Sequence, residues 1–260
     1  MPKVRVDVLL VGRGLAESRA QAQRLVMAGM VRLDGQVVLK PGVSIQEDAR
    51  LEVDQGPPFV SRGGEKLQAA LATFALDVSG RVCADVGAST GGFTDCLLQH
   101  GARRVYAIDV GQGILHWKLR QDLRVVVMER TNARHVERLP EPVSLVTIDA
   151  SFISLKILLP VVKGWGMGGR GEVIALIKPQ FEAGRAAVAR GEGVIRDPAI
   201  HRQVLQDMLA FAQLTGYGVR GLIRSPLLGP KGNAEFLTWL IWPGMPGADV
   251  EAMIVAAIPY

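Results

Sequence analysis

Apolar positions fall into two regimes along the chain, and the change comes near residue 59. Before it they form short clusters. "VDVLLVGRG" (6–14) predicts a short helix ended by glycine, and a second helix is predicted from an N-cap at Ser18 to Gly29. Ala22, Leu25, Val26 and Met27 favour one face of that helix. "VRLDGQVV" reads as a hairpin turning at Asp34-Gly35, and "ARLEV" as a further strand. "QGPPF" (55–59) reads as a stiff linker. The expected division is therefore a small α+β domain over 1–54, a linker over 55–59, and a larger domain over 60–260.

Beyond the linker, a helix predicted from Gly64 to about Leu76 leads into alternating elements. Apolar runs predict strands near 82–86, 105–109, 125–128, 143–148, 172–177, 217–223 and 236–241. Helical spacing is found near 90–99, 113–120, 133–138, 155–162 and 198–214. Strands alternating with helices predict an α/β fold with a doubly wound, seven-stranded, mostly parallel sheet. "RSPLLGPKGNA" between the last two strands is too short for a helical crossover, so the last strand is expected to be antiparallel. Residues 179–197 read as a long polar loop, with Gly184, Gly191 and Gly193 as candidate hinges.

Composition narrows this little. The 260 residues are 48% hydrophobic and 21% charged, with a net charge of +5. Residues 1–58 hold eight Lys+Arg against seven Asp+Glu, and 59–260 hold 22 against 18. A basic footprint must then come from local placement. No apolar stretch approaches the roughly 18 residues of a membrane span. The N-terminal run is broken by Asp7 and Arg13, unlike a signal peptide. The expectation is a cytoplasmic protein with no membrane partner. Cys83 and Cys96 read as small buried hydrophobes, and four scattered histidines give no metal-ligand spacing.

The chemistry concentrates after the first strand of the larger domain, in "DVGASTGGFTD" (85–95). A dinucleotide turn wants G-x-G-x-x-G, but Ser89 stands at the second glycine. No Gly-Lys-Ser/Thr follows, which disfavours a phosphate-cradling loop. An acid at a strand end with small residues at alternate positions, Asp85-x-Gly87-x-Ser89-x-Gly91, fits S-adenosyl-L-methionine better. Asp109, 22 residues after Gly87, suits a ribose, and Asn132 ends the third strand, where an adenine would lie. Another nucleotide, or a turn that serves packing alone, remains an alternative on these residues.

In such sheets ligands bind beyond the carboxyl ends of the strands. Asp149 and Lys178 end two strands there, and Glu235 opens the antiparallel one. Lys66, in the entering helix, can reach the same edge. A lysine ending a buried strand is partly desolvated, which favours a neutral amine, while nearby acids oppose it. Each of the four could also be an ordinary strand-end charge.

The chain resembles the two-domain ribosomal RNA 2′-O-methyltransferases of the hemolysin A (TlyA) family. The resemblance is carried by "RVDVLLVGRGLAESRAQAQRLVMAGMVRLDG" and "KPG" in residues 5–53, then by "FVSRGGEKL", "DVGASTGGFTD", "TNAR", "TIDASFISL", "LIKPQFEAG" and "GNAEF". It implies an S4-type RNA-binding domain followed by an FtsJ-like, Rossmann-like methyltransferase domain. It implies a Lys-Asp-Lys-Glu catalytic tetrad on Lys66, Asp149, Lys178 and Glu235. S-adenosyl-L-methionine would be held by Asp85, Gly87, Ser89, Thr90, Gly91, Gly92, Phe93, Asp109 and Asn132, with no metal. The implied partner is ribosomal RNA or a ribosomal subunit, with cytidine as acceptor and Lys178 as base or alkoxide stabiliser. Arg13, Arg19 and Arg24 are the expected phosphate contacts. The competing expectations are a non-catalytic ribosome-assembly protein, a membrane-active hemolysin and an NAD-dependent dehydrogenase.

Overall fold

In a computed structural model of the chain, residues 2–54, 56–166, 168–183, 193–244 and 249–258 are described. The chain divides into two compact units, Met1–Pro58 and Phe59–Tyr260.

The first unit is α+β. Strand β1 (Lys3–Arg5) runs into helix α1 (Val6–Gly12), and α2 (Arg19–Met27) follows. Ser18 caps α2 by accepting from the Gln21 amide at 3.3 Å. Strands β2 (Val31–Leu33) and β3 (Gln36–Val37) form the expected hairpin. Asp34 and Gly35 have φ of 47° and 82°, the left-handed pair that a tight turn matching strand twist needs. Strand β4 (Ser44–Gln46) pairs with β1, and β5 (Leu51–Val53) with β2. Val6, Leu10, Ala22, Val26 and Val31 close the core.

The second unit begins with α3 (Gly63–Phe74) and continues through β6 (Val82–Val86), α4 (Gly92–Gln99), β7 (Arg104–Ile108), α5 (Trp117–Arg120), β8 (Val125–Met128) and β9 (Leu145–Ile148). Then come α6 (Leu155–Val162), β10 (Gly171–Ile177), α7 (Pro179–Glu182), α8 (Pro198–Leu214), β11 (Gly218–Arg224), β12 (Phe236–Trp242) and α9 (Val250–Ala257). The sheet order is β11-β12-β10-β9-β6-β7-β8, and β12 is antiparallel to both neighbours. The seven-stranded, mostly parallel sheet with an antiparallel last strand is thus observed.

Alternation along β6 decides what lies on each face. Val82, Ala84 and Val86 join the core under α6, α8 and α9. Cys83 joins the core under α3 and α4. Each fully buried Leu or Ile in these layers contributes about 1.5–3 kcal/mol. Both cysteines are free and buried, and burial pushes their thiols up to about 12. Strand order reverses at β6, whose neighbours β7 and β9 carry the chain in opposite directions, so a crevice opens there beyond the strand ends.

Three differences from expectation have local causes. The helix expected over 113–120 starts only at Trp117, because the His116 imidazole caps it from the Lys118 amide. Residues 133–138 shorten to a single 3-10 turn at Ala133–His135, and the expected loop begins as α7, with Pro179 at its first turn. Gly193 is described, but residues 184–192 of that loop, with Gly184 and Gly191, lie outside the described residues. Among the described residues no helix is long and apolar enough to cross a membrane.

Candidate active site

Parallel register sets the first half of the site. Val86 pairs with Ile148, so the turn after β6 runs beside the residues after β9. Gly87 has φ 83°, and a Cβ there would lie 2.7 Å from the Asp149 carbonyl oxygen. Only glycine fits both demands. Gly92 opens α4 against the backbone of Gly63 and Gly64, where a Cβ would meet the Gly64 amide nitrogen at 2.8 Å. Ser89 takes the left-handed conformation with φ 50°, and its amide donates to Asp109 Oδ2 at 2.8 Å. Serine thus serves where a dinucleotide turn would use glycine.

Two adjoining cavities flank this turn. The larger, about 470 Å³, is lined by Thr90, Gly92 and Phe93 and by all four expected tetrad residues. The smaller, about 260 Å³, is lined by Asp109, Asn132 and apolar groups such as Ile108 and Leu158. They share Gly87, Ser89, Asp149 and Ser151. Asp109 accepts from the Ser89 amide and, at 2.7 Å, from the Gly111 amide, which fixes its carboxylate at the mouth. Asn132 accepts from the Arg134 amide at 3.2 Å, leaving its side-chain NH2 as a donor.

Two expected residues lie elsewhere. Asp85 sits under the turn, not on a cavity wall. Alternation points it to the α4 face, beside Thr147, its register partner on β9. Thr94 donates to one carboxylate oxygen at 2.7 Å and Thr147 to the other at 3.1 Å. Burial raises Asp85 to about 7, against the lowering effect of these two hydrogen bonds. Its place is to brace the turn from below. Gly91, with φ 100°, packs against Leu115 and Leu119 and also stays off the walls.

The second half of the site comes from β10 and β12. Ile177 pairs with Phe236, so the residue after β10 and the residue before β12 meet at one edge. Lys178 Nζ lies 2.6 Å from Asp149 Oδ1 and 3.0 Å from Ser151 Oγ. Lys66 Nζ lies 2.5 Å from Glu235 Oε2. All but Asp149 are buried, with Glu235 1% exposed. Its second oxygen, Oε1, is buried without a hydrogen-bond partner among the described residues and packs on Gly229. A buried unsatisfied oxygen is costly unless a ligand donor reaches it.

The sequence reading missed several residues here. Ser61 and Arg62, Ser151, and Lys231 line the larger cavity. Phe152 is 91% exposed, holds φ 64° and stands 5.1 Å from the Phe181 ring. A bulky residue with positive φ is a signal of function in a structure, but the residue string alone does not display it.

In the first unit, Asp7 is fully buried. Arg5 reaches its carboxylate at 3.0 and 2.9 Å, Arg19 at 3.1 Å and Gln23 at 2.9 Å. The Arg5 hydrogen bonds foremost hold Asp7 well below the usual carboxylate range. Of the expected phosphate contacts, Arg19 is thus anchored on Asp7. Arg13 donates to the carbonyls of Ala49, at 2.7 Å, and Glu47. Arg24 is exposed on α2.

A glycine turn between two cavities, an acid at the end of the next strand and two lysine–carboxylate pairs thus meet at the carboxyl edge of the sheet. Residues 59–242 match the FtsJ-like methyltransferase family, and residues 4–51 match the S4 domain. The chain belongs to the FtsJ-like methyltransferase family. It is 47% identical to the 16S/23S rRNA (cytidine-2'-O)-methyltransferase TlyA of Mycobacterium tuberculosis, over 92% of this chain and 90% of that protein. It is 50% identical to YqxC of Bacillus subtilis, described as a candidate rRNA methyltransferase, over 93% of this chain and 87% of the relative. A solved structure described as a candidate hemolysin from Streptococcus thermophilus is 45% identical, with a TM-score of 0.72, covering 98% of this chain and 95% of that one.

Proposed function

We propose that this chain methylates ribose 2′-hydroxyls of ribosomal RNA, with S-adenosyl-L-methionine as donor and cytidine as acceptor nucleoside. The observation that carries the reading is Lys178, held by Asp149 and Ser151 where the larger cavity meets the strand ends. The relatives named as cytidine-2'-O-methyltransferases and the S4 domain support the substrate.

The residues fit the donor. Gly87 lines both cavities, and the smaller one offers Asp109 and the Asn132 amide to a nucleoside. When bound, S-adenosyl-L-methionine supplies a methyl group already activated by its sulfonium charge. What is left to the protein is alignment and a proton. Alignment can lower a barrier by up to roughly 7–11 kcal/mol. As a neutral amine Lys178 Nζ takes the hydroxyl proton, or as an ammonium it stabilises the developing alkoxide; the oxygen would gain the methyl group as its bond to the sulfonium sulfur breaks, leaving a neutral thioether. Asp149 and Ser151 hold Nζ in place. Lys66 adds positive potential, and Glu235 orients the array through its ion pair with Lys66. The exposed Phe152 ring beside the site offers a stacking face to an unstacked base. DNA lacks the hydroxyl this arrangement serves.

The test is transfer of a labelled methyl group to ribosomal RNA or isolated subunits, beside calorimetric titration with S-adenosyl-L-methionine and with NAD. Transfer with binding of the methyl donor supports the reading. Binding without transfer to any ribosomal particle supports a non-catalytic assembly protein, and NAD binding supports a dehydrogenase.

A further inference from the structure

The charges lining the larger cavity do not cancel. Among the described residues, Arg62, Lys66, Lys178 and Lys231 face only Asp149 and Glu235. Lys66 and Lys178 take up those two carboxylates, so the cationic excess rests on Arg62 and Lys231. Their positions differ. A third cavity, about 410 Å³, adjoins the larger one and shares Ser151, Lys178 and Lys231 with it. The nucleoside-sized cavity around Asp109 and Asn132 includes neither lysine. Lys178 and Lys231 therefore both line the larger and the third cavity, and both stand off the nucleoside-sized one. Arg62 lines only the larger cavity among these three.

The backbone under Lys231 is held in place. Its φ is 59°, a left-handed conformation that side-chain-bearing residues adopt at a cost. Gly232 N donates to Gly229 O at 3.0 Å and Gly229 N to Asn233 O at 2.8 Å, which closes the turn around it. That turn leads two residues on to Glu235. The residue is exposed, and its Nζ lies 3.7 Å from where a Cβ on Gly193 would lie. A glycine would be relaxed at 231, so the lysine holds a strained position beside the catalytic pair. Such outliers gather at binding sites.

An acceptor ribose within an RNA chain carries a phosphodiester on each side. The paired tetrad is neutral and offers those anions nothing. We propose that Lys231 binds a phosphodiester adjoining the acceptor ribose and thereby sets how the 2′-hydroxyl meets Lys178. This rests on the ribose methyltransferase reading above.

The test compares the wild-type chain with Lys231→Ala, Lys231→Gly and Lys231→Arg. The probes are purified ribosomal RNA for turnover, a single-stranded RNA oligonucleotide for affinity across a salt series, and S-adenosyl-L-methionine for titration. Losing one phosphate contact should raise KM for RNA about tenfold, with a smaller effect on kcat. The slope of log affinity against log salt should fall by about 0.7. The glycine variant, free of backbone strain, should behave like alanine, and arginine should restore both quantities. Affinity for S-adenosyl-L-methionine should not change. Unchanged RNA affinity and salt slope in the alanine and glycine variants would overturn the proposal, as would a loss confined to S-adenosyl-L-methionine binding. A wild-type chain that transfers no methyl group would overturn the reaction reading instead, and the salt series would still decide Lys231.

Discussion

Where β6, β7 and β10 begin, Arg81 meets Glu172 at 2.7 Å, and Arg103 and Arg104 meet Glu141 at 3.0 and 2.8 Å. The arginine side chains there are between 26% and 61% exposed. Where β9 and β10 end, Lys178 meets Asp149 and Lys66 meets Glu235 at similar distances, with lysine side chains 8% and 11% exposed. Distance does not separate these pairs; burial of the cation does, and Glu235 is fully buried while Asp149, 22% exposed, matches Glu172. Exposed pairs are worth about 0–1 kcal/mol and tie loops to strand starts. Buried pairs carry a desolvation cost that roughly offsets their attraction, so they are weak as stabilisers. They line a cavity beside the glycine turn, and a buried carboxylate oxygen among them has no hydrogen-bond partner among the described residues. Charge kept at that cost is what the proposed role of these residues in methyl transfer would require.

The comparison can be broken by substitution at either end. Lys178→Ala should reduce methyl transfer by about 10²–10⁴-fold while S-adenosyl-L-methionine still binds, as read by turnover beside titration. Near wild-type turnover would remove Lys178 from the mechanism. Glu235→Gln leaves the Lys66 ammonium buried without its counter-charge. A loss of about 3–5 kcal/mol in denaturant-derived stability is expected. A loss under about 1 kcal/mol would class this pair with the exposed ones.

Asp85 supplies a pH test under the same turn. Its folded pKa, about 7, lies above the ordinary aspartate value of 3.8. The folded state therefore binds the proton more tightly than the unfolded state. The resulting stabilisation is full below about pH 4 and is lost as pH rises through 7. Asp85→Asn removes that titration. The wild type should lose on the order of a few kcal/mol relative to this variant between pH 4 and pH 8. Parallel melting curves across that range would contradict a buried, protonated Asp85. The smallest effect is expected at the far end, where Glu141→Gln should change stability by about 0–1 kcal/mol and leave turnover intact.

Much of the architecture was legible because period and connection length act locally. Seven apolar runs gave the strands within about two residues. The short "RSPLLGPKGNA" connection gave the direction of β12, and Asp34-Gly35 gave the first hairpin. Strands β1 and β4, of three residues each, were missed because their pairing joins segments about 40 residues apart without a turn signal. Helix α9 was missed because "VEAMIVAA" is apolar almost throughout and shows no helical period.

The site was half legible. Lys66 and Glu235 are 169 residues apart, and their pairing depends on where α3 lies against β12. A strand-end acid suggested ligand contact for Asp85. Its neighbours decide otherwise, because alternation within β6 turns it toward Thr94 and Thr147. Lys231 and Phe152 stand out through their backbone conformation and their place on cavity walls, which no period reveals.

The central claim is that the cavity beside Lys178 delivers a methyl group to a ribose oxygen. Ribosomal RNA methylated by this chain with labelled S-adenosyl-L-methionine and then hydrolysed in alkali tests it directly. A 2′-O-methyl group blocks attack of that oxygen on the neighbouring phosphate, so the label should emerge in alkali-stable dinucleotides. Label in mononucleotides, the mark of a methylated base, or no label at all, would contradict the account.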